Sequence, residues 1–219
     1  MIRHLQYHQL DKERYDQCIS EAQNGRVYAY SWYLDLVCEN WDALIWRDYE
    51  AVMPLPWKTK FGLPFIFTPN WAQQLGLFSK EEISDELLTS FLQAIPRKFI
   101  KIDYRMNAGN RSKLRSVSVR DNYLLVLNQP FERIVENFKN NRKKAARLYF
   151  NDYHIDKNTS ADAFRQFFES IKKPFQLQKS AFDSLLALLK SGRKEINIWS
   201  VHENKKIVAA LFWVNDSRR

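Results

Sequence analysis

The chain has little of what specialises a protein. Two cysteines in 219 residues, Cys18 and Cys38, are too few for a disulfide framework and predict buried, reduced thiols in a cytoplasmic protein. Five scattered glycines exclude the Gly-rich phosphate cradles, GxGxxG and GxxxxGK[ST]. Four histidines, His4, His8, His154 and His202, show no zinc-ligand spacing, and His4 and His8 are expected on one strand face roughly 13 Å apart, so no metal site is predicted. No apolar run approaches the ~20 residues of a membrane span, and the opening "MIRHLQYHQLDKERYD" has no apolar core of signal-peptide length. There is no GxSxG elbow and no Cys/His pairing of known spacing, which leaves hydrolase chemistry without support.

What is present is aromatic and basic. Seven Trp, ten Tyr and fifteen Phe within 45% hydrophobic content can fill a real core. A net charge of +9 attracts anions such as nucleic acid, phosphorylated cofactors or anionic lipid, while fixing nothing about the fold.

Helical and strand periods alternate along the first 127 residues, which predicts an α/β (or α+β) class with a mixed sheet. The pattern predicts a strand in "IRHLQYHQL", a helix begun by Asp11, and a second helix capped by Ser31. A meander follows through "WDALIWRD", "EAVMPLPWK" and "LPFIFTP", then a helix from Ser79 to Ile95 and strands in "KFIKIDYRM" and "RSVSVRDNYLLVL". After Pro130 the pattern restarts with a helix over 131–149, the strand "YHIDK", two helices, and the hairpin "EINIWSVHE"/"KIVAALFWV" turning at Asn204. This gives two units, 1–127 and 128–219, expected to share a sheet or a tight interface because no Gly/Ser linker parts them. The apolar strand "IVAALFWV" so close to the end reads as the front of a longer fold, or as a surface covered by a second copy.

The run "KNNRKKAARLYF" gathers Lys139, Arg142, Lys143, Lys144 and Arg147 without an acid. On a wheel, Lys139, Arg142, Lys143 and Arg147 oppose Ile134, Phe138, Ala145, Leu148 and Tyr149. Such a face can be plain solvation, an anion contact or a nucleic-acid grip, and no recognition motif accompanies the charge.

The stretch "YAYSWYLDLVCENWDALIWRDYEAVMPLPWKTKFGLPFIFTPNWAQQLGLFS" resembles the N-terminal part of the FemABX-like branch of the GNAT superfamily of acyl-CoA N-acyltransferases. Its carriers are Ser31–Trp32 between Tyr30 and Tyr33, Pro54 to Pro56, and Pro69 to Gly76; "FERIVENFKNNRKKAARLYFNDYHIDKN" is similar to the helix that opens the family's second unit. The resemblance implies tandem GNAT-like mixed sheets with flanking helices, the second incomplete, because the expected pyrophosphate loop does not follow "FWVNDSRR". It implies transfer of an acyl or aminoacyl group from acyl-CoA or charged tRNA to a small-molecule amine, with no tightly bound cofactor. Arg142, Lys143 and Arg147 are then the expected contacts to donor phosphates, and Tyr30, Trp32, Tyr33 and Tyr104 the expected acceptor lining. The alternative is a non-catalytic binding or assembly module, or an inactive truncated product.

Overall fold

The computed structural model describes residues 1–114, 117–123, 125–148, 154–171 and 178–216, with the side chains of 145–148 outside that description. It shows a mixed α/β protein with one mixed sheet and one separate antiparallel sheet.

The first sheet contains β1 (Ile2–Leu5), β2 (Asn40–Trp46), β3 (Ala51–Lys60), β4 (Leu63–Phe67), β5 (Phe78–Ser79) and β6 (Ile102–Asp103). Its order is β1-β2-β3-β4-β6 with β5 on β3, and every pair is antiparallel except β4 with β6. Pro54 and Pro56 stand inside β3, where a missing N–H normally breaks a central ladder. Their position explains the tolerance. On its second side β3 pairs β5 at Ala51–Val52 and β4 at Trp57–Lys60, so the proline stretch between them is locally an edge.

Side chains alternate between two cores. Ala43, Ile45 and Val52 pack with Tyr15, Cys18 and Ile19 of α1 (Lys12–Glu21) and Leu34 of α2 (Ser31–Val37). Leu44, Met53 and Leu55 pack under Leu88 and Phe91 of α3 (Asp85–Gln93) on the other face. Asp11 caps α1 through the Arg14 N–H at 3.1 Å, as its position predicts. Ser31, expected as a cap, is instead the first residue of α2: its N–H and its hydroxyl both donate to the Asp16 carboxylate at 2.7 Å, so a side chain from α1 does the capping. The third helix starts later than its spacing predicts. Ser79 is buried in β5 opposite Ala51, and Ser84 is the cap, accepting from the Leu87 N–H at 3.1 Å.

The second half holds α4 (Phe131–Glu136), α5 (Asn140–Leu148), β7 (His154–Asp156), α6 (Ala161–Ile171), α7 (Lys179–Lys190), β8 (Ile196–Glu203) and β9 (Lys206–Val214). The expected helix over 131–149 is therefore two helices. Asn137 ends the first, its side-chain amide donating to the Arg133 carbonyl at 3.1 Å, and competition of this kind interrupts a helix. The strand expected in "RSVSVRDNYLLVL" is absent among its described residues; Val119 and Tyr123 are over 90% exposed, and a strand without a pairing edge has nothing to hold it. Strands β7-β8-β9 form the second sheet, and the hairpin turns through Asn204 (φ 48°) and Lys205 (φ 65°), the left-handed pair that suits a two-residue turn.

The two sheets stay separate, and the halves meet through side chains. The Trp71 indole N–H donates to the Ala181 carbonyl of α7 at 2.7 Å, and its ring lies 6.1 Å from Phe212 of β9. The Arg193 guanidinium stacks 4.0 Å over the Trp32 ring. No helix among the described residues is long and apolar enough to cross a membrane.

Candidate functional site

The four aromatic residues proposed as acceptor lining do not gather around one cleft. Tyr33 is buried, its hydroxyl donating to the Trp71 carbonyl at 2.6 Å. Tyr104 fills the gap beside the β3 prolines: its hydroxyl donates to the Pro54 carbonyl and accepts from the Gly76 N–H at 3.1 Å. Burial pushes both phenols well above their ordinary range, so neither releases a proton near neutrality. Tyr30 packs half-buried against the α1–α2 core, and Trp32 is the platform for Arg193. Of the basic candidates, Arg142 is exposed and Lys143 half-buried on α5, while the side chain of Arg147 lies outside the described residues.

Sequence reasoning missed a second grouping, where the end of α2 meets the start of β2 and the middle of β3. A pocket of about 190 Å³ is lined by three aromatic or indole groups, Tyr7, Trp41 and Trp57, and by the carboxylates of Asp35, Glu39 and Asp42, with Cys38 and Asn40. Its chemistry suits an alkylammonium. The chain supplies one: the Lys12 ammonium lies 4.1 Å over the Tyr7 ring and donates to Asp35 at 2.8 Å and to the Tyr7 hydroxyl at 2.6 Å. Burial alone would lower the Lys12 pKa, but the bonds to Asp35 and Tyr7 outweigh it and leave it raised. Asp35 also accepts from the Trp41 indole at 3.0 Å, and Asp42, only 4% exposed, is held by His4 at 2.9 Å and Lys98 at 3.3 Å. The buried Trp57 indole N–H has no hydrogen-bond partner. The sequence signal was weak, because Tyr7, Asp35, Asp42 and Trp57 are separated in the chain and only the β2–β3 register, Asn40 opposite Trp57, brings them together.

A shallower pocket of about 380 Å³ opens at the β8–β9 turn and is lined by His154, Asp156, His202, Asn204 and Lys205. Strand register sets His154 opposite His202, and their rings stand 6.1 Å apart. A buried hydroxyl pair, Thr159 and Ser200 at 2.6 Å, anchors the His202 ring through Ser200 at 2.8 Å. His8, expected beside His4 on a strand, lies instead in a 3-10 turn, and no group of three metal-ligating side chains occurs among the described residues.

The thiols give a direct check on these environments. Burial pushes Cys18 up to about 12 and Cys38 higher still, so almost no thiolate exists at pH 8. A disulfide reagent at pH 8 is expected to leave both thiols unmodified in the native protein and to titrate two per chain after denaturation. Rapid native reaction of Cys38, which borders the smaller pocket, would contradict that burial.

Comparison with family models, with curated proteins and with solved structures returned no match.

Proposed function

We propose that the chain is an N-acyltransferase of GNAT and FemABX type, moving an acyl or aminoacyl group from acyl-CoA or charged tRNA to an amine. The observation that carries the reading is the sheet order β1-β2-β3-β4-β6, antiparallel until the parallel pair β4–β6. Parallel strands end at the same edge, where backbone amides can be offered to the amide-bearing arm of a donor. The smaller pocket supports an amine as acceptor, since its carboxylates and rings already hold two primary ammoniums, Lys12 on Asp35 and Tyr7 and Lys98 on Asp42 and Trp57. In the reaction an uncharged amine nitrogen attacks the donor carbonyl, the C–S or C–O bond breaks, and the proton shed by nitrogen ends on the leaving sulfur or oxygen. Arg142, Lys143 and Arg147 take the donor's phosphates in this reading.

One observation favours a second reading, a non-catalytic binding or assembly module. Beyond Thr68 the chain's own Leu75 takes up the ladder, its N–H bonding the Arg105 carbonyl at 2.8 Å and its carbonyl accepting from Asn107 at 2.9 Å. While those bonds hold, the edge is filled from within.

Thermal unfolding with acetyl-CoA, CoA, aminoacyl-tRNA and a nucleic-acid control that carries no acyl group separates these readings. A donor at a hundred times its Kd stabilises by about 2.7 kcal/mol and raises Tm by several degrees. No shift with any acyl donor would sink the enzyme reading, and a shift with a donor but no amide product would favour the module.

A further inference from the structure

The two halves repeat one element order. The series β1-α1-α2-β2-β3 is matched by β7-α6-α7-β8-β9, and in each the three strands are antiparallel neighbours in the same sequence. The covering of the sheets differs. The first sheet carries α1 and α2 on one face and α3 on the other. In the second, Ile196, Ile198, Ala210 and Phe212 face the apolar residues of α6 and α7, including Phe164, Leu185 and Leu189. Alternation assigns Trp199, Val201, Ala209, Leu211 and Trp213, with Ile155 beside them, to the opposite face, and among the described residues no helix packs there. Leu211 is 60% exposed and Ile155 46%. Trp199 and Trp213 contact each other edge to face at 4.5 Å, forming an apolar ridge with Lys157 over the Trp199 ring.

We propose that this bare face docks an amphipathic α-helix of about the length of α3, apolar on one stripe and acidic on the other. The repeat supplies the geometry: Leu44 and Met53 of the first sheet, cross-strand partners like Trp199 and Leu211 of the second, lie under Leu88 and Phe91. Area decides between a helix and a second copy of the chain. The eight residues of β8 and nine of β9, with the three-residue β7 beside them and strands about 4.8 Å apart, make a footprint on the order of 300 Å². A stable dimer buries about 800 Å² per partner, more than double that footprint, whereas one helix is about 10 Å wide and fits it. Charge sets the outer face. Lys157 stands at the rim of a chain of net charge +9, and the first turn of α3 carries Asp85 and Glu86.

The probe is a fluorescein-labelled peptide of residues 84–96 of this chain, SDELLTSFLQAIP, titrated with the whole protein and followed by anisotropy. Saturable binding is expected, and Leu211→Lys, a substitution at an exposed position, should weaken it at least about tenfold. Val119→Lys, also exposed but distant in sequence and outside the sheet, should leave it unchanged. Three results would overturn the proposal: no saturable binding, equal binding by a permuted peptide whose Leu and Phe are spread around the helix, or equal binding by Leu211→Lys. So would a concentration-dependent dimer in sedimentation that Leu211→Lys abolishes, because a second copy would then own the face.

Discussion

Replacing Trp71 with alanine is expected to lower the stability of the second half by about 3 kcal/mol and to split one urea-unfolding transition into two. The ring is one tie between the halves, beside the α2–α7 packing and Arg193 on Trp32. It donates to Ala181 at the start of α7, contacts Phe212 of β9, and packs beside the small cluster of Phe164, Leu185, Leu189 and Ile198. That cluster is the second half's only buried apolar cluster among the described residues, so it has little reserve when a large neighbour is removed. Trp71→Phe keeps the ring contact and loses the hydrogen bond, so about 1 kcal/mol is expected. Far-UV circular dichroism should show the early transition of Trp71→Ala carrying the α6–α7 helical signal. A single transition with an unchanged midpoint would mean that Arg193 on Trp32 and the α2–α7 packing hold the halves together without Trp71.

Elements whose signal is local were readable in the sequence. The helices at Lys12–Glu21, Ala161–Ile171 and Lys179–Lys190, the β2-β3-β4 meander and the β8–β9 hairpin all follow from period, caps and turn residues within a dozen positions. What was not readable depended on distant partners. Ser31 looked like a cap until Asp16 arrived from another helix, and Ser79 looked like one until β5 paired with Ala51. "RSVSVRDNYLLVL" has the alternation of a strand, but alternation states only a preference and the partner edge is supplied elsewhere. The candidate pocket was hidden for the same reason. Asp35, Tyr7, Trp41 and Trp57 form no short motif in the chain, and the β1–β2–β3 register sets them around one space.

Gly76→Ala is expected to cost about 4 kcal/mol, read as the loss of midpoint stability in urea. Gly76 has φ +105°, which L side chains rarely adopt, and an added Cβ would fall inside the contact distance of the Asn110 amide oxygen and 3.1 Å from its Cγ. That amide serves as a surrogate strand: its oxygen accepts from the Leu77 N–H at 2.6 Å, and its NH₂ donates to the Leu77 carbonyl at 2.8 Å. The Asn107 side chain donates to the Leu75 carbonyl and that of Asn24 to the Leu77 carbonyl, each at 2.8 Å, so asparagine side chains join the backbone bonds of Leu75 to Arg105 and Asn107 in holding the segment from Leu75 to Leu77. Displacing Asn110 leaves the buried Leu77 N–H unpaired, at roughly 1–3 kcal/mol, while the Leu77 carbonyl keeps the Asn24 side-chain amide at 2.8 Å. Asn110→Ala alone should therefore cost about 2 kcal/mol. The double variant separates the clash from the backbone strain: with the Asn110 amide gone the new methyl has room, so the two costs should fall short of additivity by about 2 kcal/mol. Full additivity would place the Gly76 penalty in φ alone, and the Leu75–Leu77 edge would then be held by its backbone ladder to Arg105 and Asn107 rather than by the Asn110 side chain.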